Sequence, residues 1–74
     1  MTRLPSLTAA QVVKALERGG FQRVHQRGSH LFLHHAGRDV LTTVPIHPGD
    51  LPRGLMKKII KQAGLTEDQF RELL

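Results

Sequence analysis

Apolar residues recur along this 74-residue chain with two different periods, and the places where the period changes mark the elements. Val12, Val13, Leu16 and the neighbouring alanines return at helical spacing. Thr8-Ala9-Ala10-Gln11 precedes them with capping-box spacing, a hydroxyl followed three residues later by a side-chain amide. Gly19-Gly20 supplies the stop, so the pattern predicts a helix over about residues 9–18. Residues 21–26 alternate loosely and read as a first strand, with Phe21 and Val24 as its larger apolar contributions. Gly28-Ser29 turns the chain into a second strand, His30–His35. Ala36-Gly37-Arg38-Asp39 reads as a tight turn, with Gly37 expected to take a positive φ. Residues 40–44, rich in β-branched side chains, make a third strand.

A loop punctuated by Pro48, Gly49 and Pro52 follows. Leu55, Met56, Ile59, Ile60 and Ala63 then form one apolar helical face closed by Gly64. Arg53, Lys57 and Lys61 lie four apart on another face, with Lys58 beside them. Thr66-Glu67-Asp68-Gln69 repeats the capping box and opens a last short helix that carries Phe70, Leu73 and Leu74. The order α-β-β-β-α-α predicts an α+β fold: a three-stranded antiparallel sheet with helices on one face. Strand alternation sends Leu31 and Leu33 toward the helices and His30, Phe32 and His34 to the open face.

Residues 1–74 suffice for a single domain with one small core. There is no cysteine, which removes disulfides and thiolate metal sites and fits a reducing cytoplasm. Residues 1–6 show no apolar run suited to a signal peptide, and nothing approaches a membrane span, so a soluble cytoplasmic protein is expected. The charge is uneven. Ten of the eleven Lys and Arg fall in residues 1–64 against only Glu17, Asp39 and Asp50, while Glu67, Asp68 and Glu72 crowd the tail. Such a field favours an anionic partner, nucleic acid before an acidic protein.

Within that field Arg27-Gly28-Ser29-His30 is the stretch richest in chemistry. Metal-free RNA cleavage needs a base for the 2′-hydroxyl proton, cationic groups for the phosphate and an acid for the leaving oxygen. Histidine is suited to either proton transfer near neutral pH. His30 is the candidate, with Ser29 to orient the ring or touch a phosphate and Gly28 to let backbone approach. Arg27 and the Lys57, Lys58, Lys61 face are candidate phosphate contacts, and His47 in the loop is a candidate second proton-transfer or phosphate-contacting group. The alternative for His30 is an ordinary surface histidine, and for His47 a loop histidine bonded to its own turn. His34 and His35 are adjacent in a strand and cannot share one metal ion, so neither metal nor cofactor is expected.

The same residues carry a resemblance. Val12-Val13-Lys14-Ala15-Leu16 with Gly20-Phe21, Gly28-Ser29-His30, Thr43-Val44-Pro45-Ile46-His47-Pro48 and Lys58-Ile59-Ile60-Lys61-Gln62-Ala63-Gly64-Leu65 occur in the order and spacing of the HicA toxins. The chain resembles this family from about Leu7 to Leu74. The resemblance implies a fold like the double-stranded-RNA-binding domain and ribosome-independent cleavage of mRNA. It implies that His30 is the catalytic histidine and that a cognate HicB-like antitoxin covers it. One departure is Leu55, where threonine commonly follows the family's glycine. Without that hydroxyl the second helix is expected to start from Asp50, with Pro52 in its first turn, which puts helix-start phosphate contacts in doubt. The competing function classes are a non-catalytic RNA-binding module and a domain that binds an acidic protein.

Overall fold

The computed structural model describes residues 4–74; Met1–Arg3, part of the stretch read for a signal peptide, lie outside the described residues. Both capping boxes form. Gln11 N donates to Thr8 Oγ1 at 3.3 Å while Thr8 N donates to Gln11 Oε1 at 2.9 Å, opening α1 (Ala9–Arg18). Thr66 and Gln69 do the same for α3 (Glu67–Glu72), at 3.1 and 2.9 Å. Each reciprocal pair satisfies two donors that the first turn leaves orphaned.

Between them, β1 (Phe21–Arg27), β2 (His30–His35) and β3 (Val40–Pro45) form an antiparallel sheet in the order β1-β2-β3. α2 (Arg53–Gln62) follows. This is the expected α+β, double-stranded-RNA-binding-domain-like order. The helices all lie on one face, against Phe21, Leu31, Leu33, Thr42 and Val44. Val12, Leu16, Met56, Ile59 and Phe70 complete the core, each fully buried. A buried side chain of this size contributes about 1.5–3 kcal/mol by leaving water, so this one layer carries the stability of a small domain. β2 alternates as expected: Leu31 and Leu33 are buried, His30 is exposed, and Phe32 and His34 are half-buried.

Three local expectations are corrected. Val24 is not a core residue; it is 55% exposed, because β1 carries a bulge between Arg23 and His25 and Val24 is the residue left without a partner. The positive φ of the β2–β3 turn lies on Asp39 (51°), not on Gly37. A Cβ on Gly37 would stand 3.3 Å from the His35 ring, a tight contact to which the ring would have to yield by a few tenths of an ångström. Asp39 tolerates the left-handed region as few other residues do, and its carboxylate accepts from His34 Nε2 at 2.9 Å. Finally, α2 does not start from Asp50: its N-cap is Pro52, with no side-chain capping bond. The ring of Pro52 forces Leu51 out of helical geometry. Asp50 and Leu51 are used in an extended bridge to the start of α1, where Leu51 N donates to Leu7 O at 2.8 Å.

These connections orient α2. Thr42 Oγ1 donates to Ile59 O, and Arg38, in the β2–β3 turn, donates to Gly64 O at 2.9 Å. The C-terminal end of α2 therefore lies at the β2–β3 turn, and its N-terminal end lies toward the β1–β2 turn. Among the described residues no helix is long and apolar enough to cross a membrane.

Candidate active site

The β1–β2 connection is a two-residue hairpin turn, Gly28-Ser29, with φ of 58° at Gly28. Glycine in the first central position is the pattern of a type II′ turn, whose twist matches the flanking strands. A Cβ on Gly28 would meet nothing within 4 Å, so what the glycine supplies within the chain is φ. Gln26 Nε2 donates to Gly28 O at 3.1 Å and ties the turn to β1. The turn presents Ser29, exposed, directly before His30.

His30 opens the central strand. It pairs with Arg27 on β1 and with Pro45 on β3. Directly opposed residues in an antiparallel ladder share a face, so Arg27, His30 and Pro45 form one row across the open side. The next row is His25, Phe32 and Thr43, and the third is Gln22, His34 and Leu41. Arg27 and His30 are both exposed, and among the described residues neither side chain is held by an ion pair or hydrogen bond. An unpaired guanidinium beside an unpaired imidazole is free to engage a phosphate and a hydroxyl at once.

The bulge determines this row. Counting strictly by twos from buried Phe21 assigns His25 and Arg27 to the helix-packed face. The extra residue between Arg23 and His25 reverses the alternation beyond it and turns both side chains to the open face. Bulges commonly re-aim side chains beside functional sites. Sequence reading missed His25 for this reason. The available signal was that strict alternation buries a histidine and an arginine with no partner for either.

Beyond β3 the chain stays close. Ile46 N donates to Ser29 O, which extends the pairing past Pro45 and brings the loop beside the turn. His47 follows by one residue and is exposed; its Nδ1 donates to Pro48 O at 3.2 Å. Arg27, Gly28, Ser29, His30 and His47 are thus gathered at one end of the sheet. Lys57, Lys58 and Lys61 are not part of that cluster. They are exposed on α2, which packs on the opposite side of the sheet and runs away from the β1–β2 turn. Their charge joins the field around the domain rather than the row that holds His30.

The remaining histidines are committed elsewhere. His34 is bonded to Asp39, and His35 lies on the helix side with its ring edge-on to Phe21 at 5.3 Å. Among the described residues no three His, Asp or Glu side chains approach closely enough to share a metal ion. Residues 9–65 match the family model described as HicA toxin of bacterial toxin-antitoxin. No curated protein matches the chain.

Proposed function

Because the chain belongs to the HicA toxin family, the toxin halves of toxin–antitoxin systems, we propose that it is a ribosome-independent endoribonuclease that cleaves mRNA through histidine acid–base chemistry. The observation that carries the proposal is the row in which exposed His30 stands directly opposite exposed Arg27 on an uncovered sheet face. Neutral His30 takes the proton of a ribose 2′-hydroxyl, and the 2′-oxygen attacks the adjacent phosphorus. The bond from phosphorus to the 5′-oxygen breaks and that oxygen takes a proton from a general acid, which leaves a 2′,3′-cyclic phosphate and a 5′-hydroxyl. Arg27 binds the phosphate oxygens, on which negative charge grows as the fifth bond forms. Ser29 and His47 contact the neighbouring nucleotides, and Gly28 lets the backbone of the RNA pass the turn. Lys57, Lys58 and Lys61 hold phosphates of the flanking chain farther from the cut. No cofactor enters the scheme.

The partner of such a toxin is its antitoxin. We assign the His30 face as the surface that a HicB-like antitoxin covers, since blocking one exposed row silences the chemistry. The working compartment is the cytoplasm, where the mRNA is. The test is to express wild-type protein and His30→Ala in cells and follow growth and mRNA integrity. Growth arrest with mRNA loss in the wild type alone is the expected result. His30 is exposed, so the alanine variant keeps its fold. If that folded variant is as toxic as the wild type, the assignment fails. If wild-type protein binds RNA and leaves it intact at every pH, the domain is a binding module instead.

A further inference from the structure

We propose that His25 is the second proton-transfer group of the site, the acid that protonates the leaving 5′-oxygen while His30 takes the 2′-hydroxyl proton. This rests on the reading of His30 given above. Of the four histidines other than His30, three lie off its face or serve another contact: His35 lies on the helix side, His34 is bonded to Asp39, and His47, in the loop, to Pro48 O. His34 is also two rows from His30, about 13 Å along the strand. Among the described histidines only His25 lies on the His30 face in the adjacent row. It is the diagonal neighbour of His30 across the β1–β2 ladder, a relation that sets Cα atoms about 7–8 Å apart with side chains closer. Each imidazole must come within about 3 Å of its own oxygen, so rings in adjacent rows bracket a single phosphate, with Arg27 beside it.

The fold fixes His25 there. The bulge turns it onto this face, and its ring leans on Phe32 with centroids 5.7 Å apart and planes at 36°. That contact restricts the imidazole while the residue stays exposed to substrate. The charged and titratable neighbours on the face are Arg27 on β1 and His34 on β2 with Asp39 in the following turn; β3 adds only Leu41, Thr43 and Pro45. The proton balance closes. Protonated His25 gives its proton to the 5′-oxygen as the phosphorus–oxygen bond breaks, neutral His30 gains one from the 2′-hydroxyl, and exchange with water restores both.

The test compares wild type, His25→Gln, His25→Phe and His30→Gln on two RNA oligonucleotides. One has an ordinary scissile linkage; the other replaces the bridging 5′-oxygen by sulfur, which leaves without protonation. Wild type should show a bell-shaped pH–rate profile, since one histidine must be neutral and the other charged. His25→Gln should cleave ordinary RNA about 10²–10⁴-fold more slowly and lose the decline at high pH. On the sulfur-bridged RNA it should return to within about tenfold of wild type, while His30→Gln stays slow on both. His25→Phe keeps an aromatic ring against Phe32 and should behave like His25→Gln. The assignment is overturned if the His25 variants cleave ordinary RNA at the wild-type rate, or are slowed equally on both substrates, as a binding or structural role requires. Inactive His30→Gln beside fully active His25→Gln defeats this assignment alone. Active His30→Gln, or wild type that cleaves neither RNA, defeats the reading of His30 and this one with it.

Discussion

Deleting Val24 should leave this protein folded and its open face intact, although removing one residue from a strand ordinarily turns every later side chain over. Val24 has no partner on β2, while Arg23 pairs with Leu33 and His25 with Phe32. Excising it joins two stretches that are already in register. The gains slightly exceed the loss. Val24 is 55% exposed, so less than half of its burial is lost, at most about 1 kcal/mol. A regular ladder bond is gained, worth about 1 kcal/mol, and one residue fewer has to be ordered, about 1–2 kcal/mol. The balance is neutral to mildly stabilising, less whatever the change in twist costs. Deleting Gln26 is the contrasting case. It sets Arg27 opposite Leu31 on the helix side, in the exposed place of Gln26, or breaks the end of the hairpin and the bond from Gln26 to Gly28 O; either way the row of Arg27 and His30 is lost, and cleavage should fall by far more than in the Val24 deletion. Urea denaturation followed by circular dichroism measures both variants. Cross-strand proton contacts between His25 and Phe32 and between Arg27 and His30 report the register. RNA cleavage by the Val24 deletion should stay within about tenfold, below the roughly 100-fold that a 1 Å misplacement costs. A loss above about 3 kcal/mol on deleting Val24, with Gln26 deletion tolerated, would refute the register and the face assignments built on it.

Thr42 is 1% exposed, and its hydroxyl lies 3.3 Å from both Ile59 O and Gln62 Oε1, longer than an ordinary hydroxyl bond. Ile59 O already accepts from Ala63 N at 2.9 Å, so Thr42→Val strands no buried group and should lie within about 1 kcal/mol of wild type or above it. Thr42→Ser loses a buried methyl and should cost about 1 kcal/mol, or about 4–8 °C in Tm. Thermal denaturation that places the serine variant above the valine variant would show the hydroxyl bond to be strong. Arg27→Gln should weaken binding to a non-cleavable 2′-O-methyl RNA and reduce the slope of log affinity against log salt by about 0.7. An unchanged slope would remove Arg27 from the phosphate contacts.

What was legible in the sequence depended on whether a residue's position follows from its near neighbours alone. The caps at Thr8 and Thr66 are local: a hydroxyl and an amide three residues apart satisfy each other whatever the tertiary context, and both form. The alternation of β2 was legible because a central strand with one packed face has a single register that buries Leu31 and Leu33. The start of α2 was misplaced because two local rules competed; the restriction that Pro52 puts on Leu51 prevailed over the capping tendency of Asp50. The four-residue spacing of Arg53, Lys57 and Lys61 correctly indicates a common helix face but carries no information about which side of the sheet that helix takes. The largest miss is of another kind. In β1 the two-residue period fails at Val24, and it fails immediately before the residues whose direction matters most, His25 and Arg27. A domain with one small core has little stability in reserve for irregular pairing, so an exposed valine and a lost ladder bond in an edge strand call for a compensating use. Turning a histidine and an arginine out beside His30 is such a use. Places where a sequence breaks its own local rule tend to be functional, and here the broken period and the proposed chemistry meet in one four-residue span, 24–27.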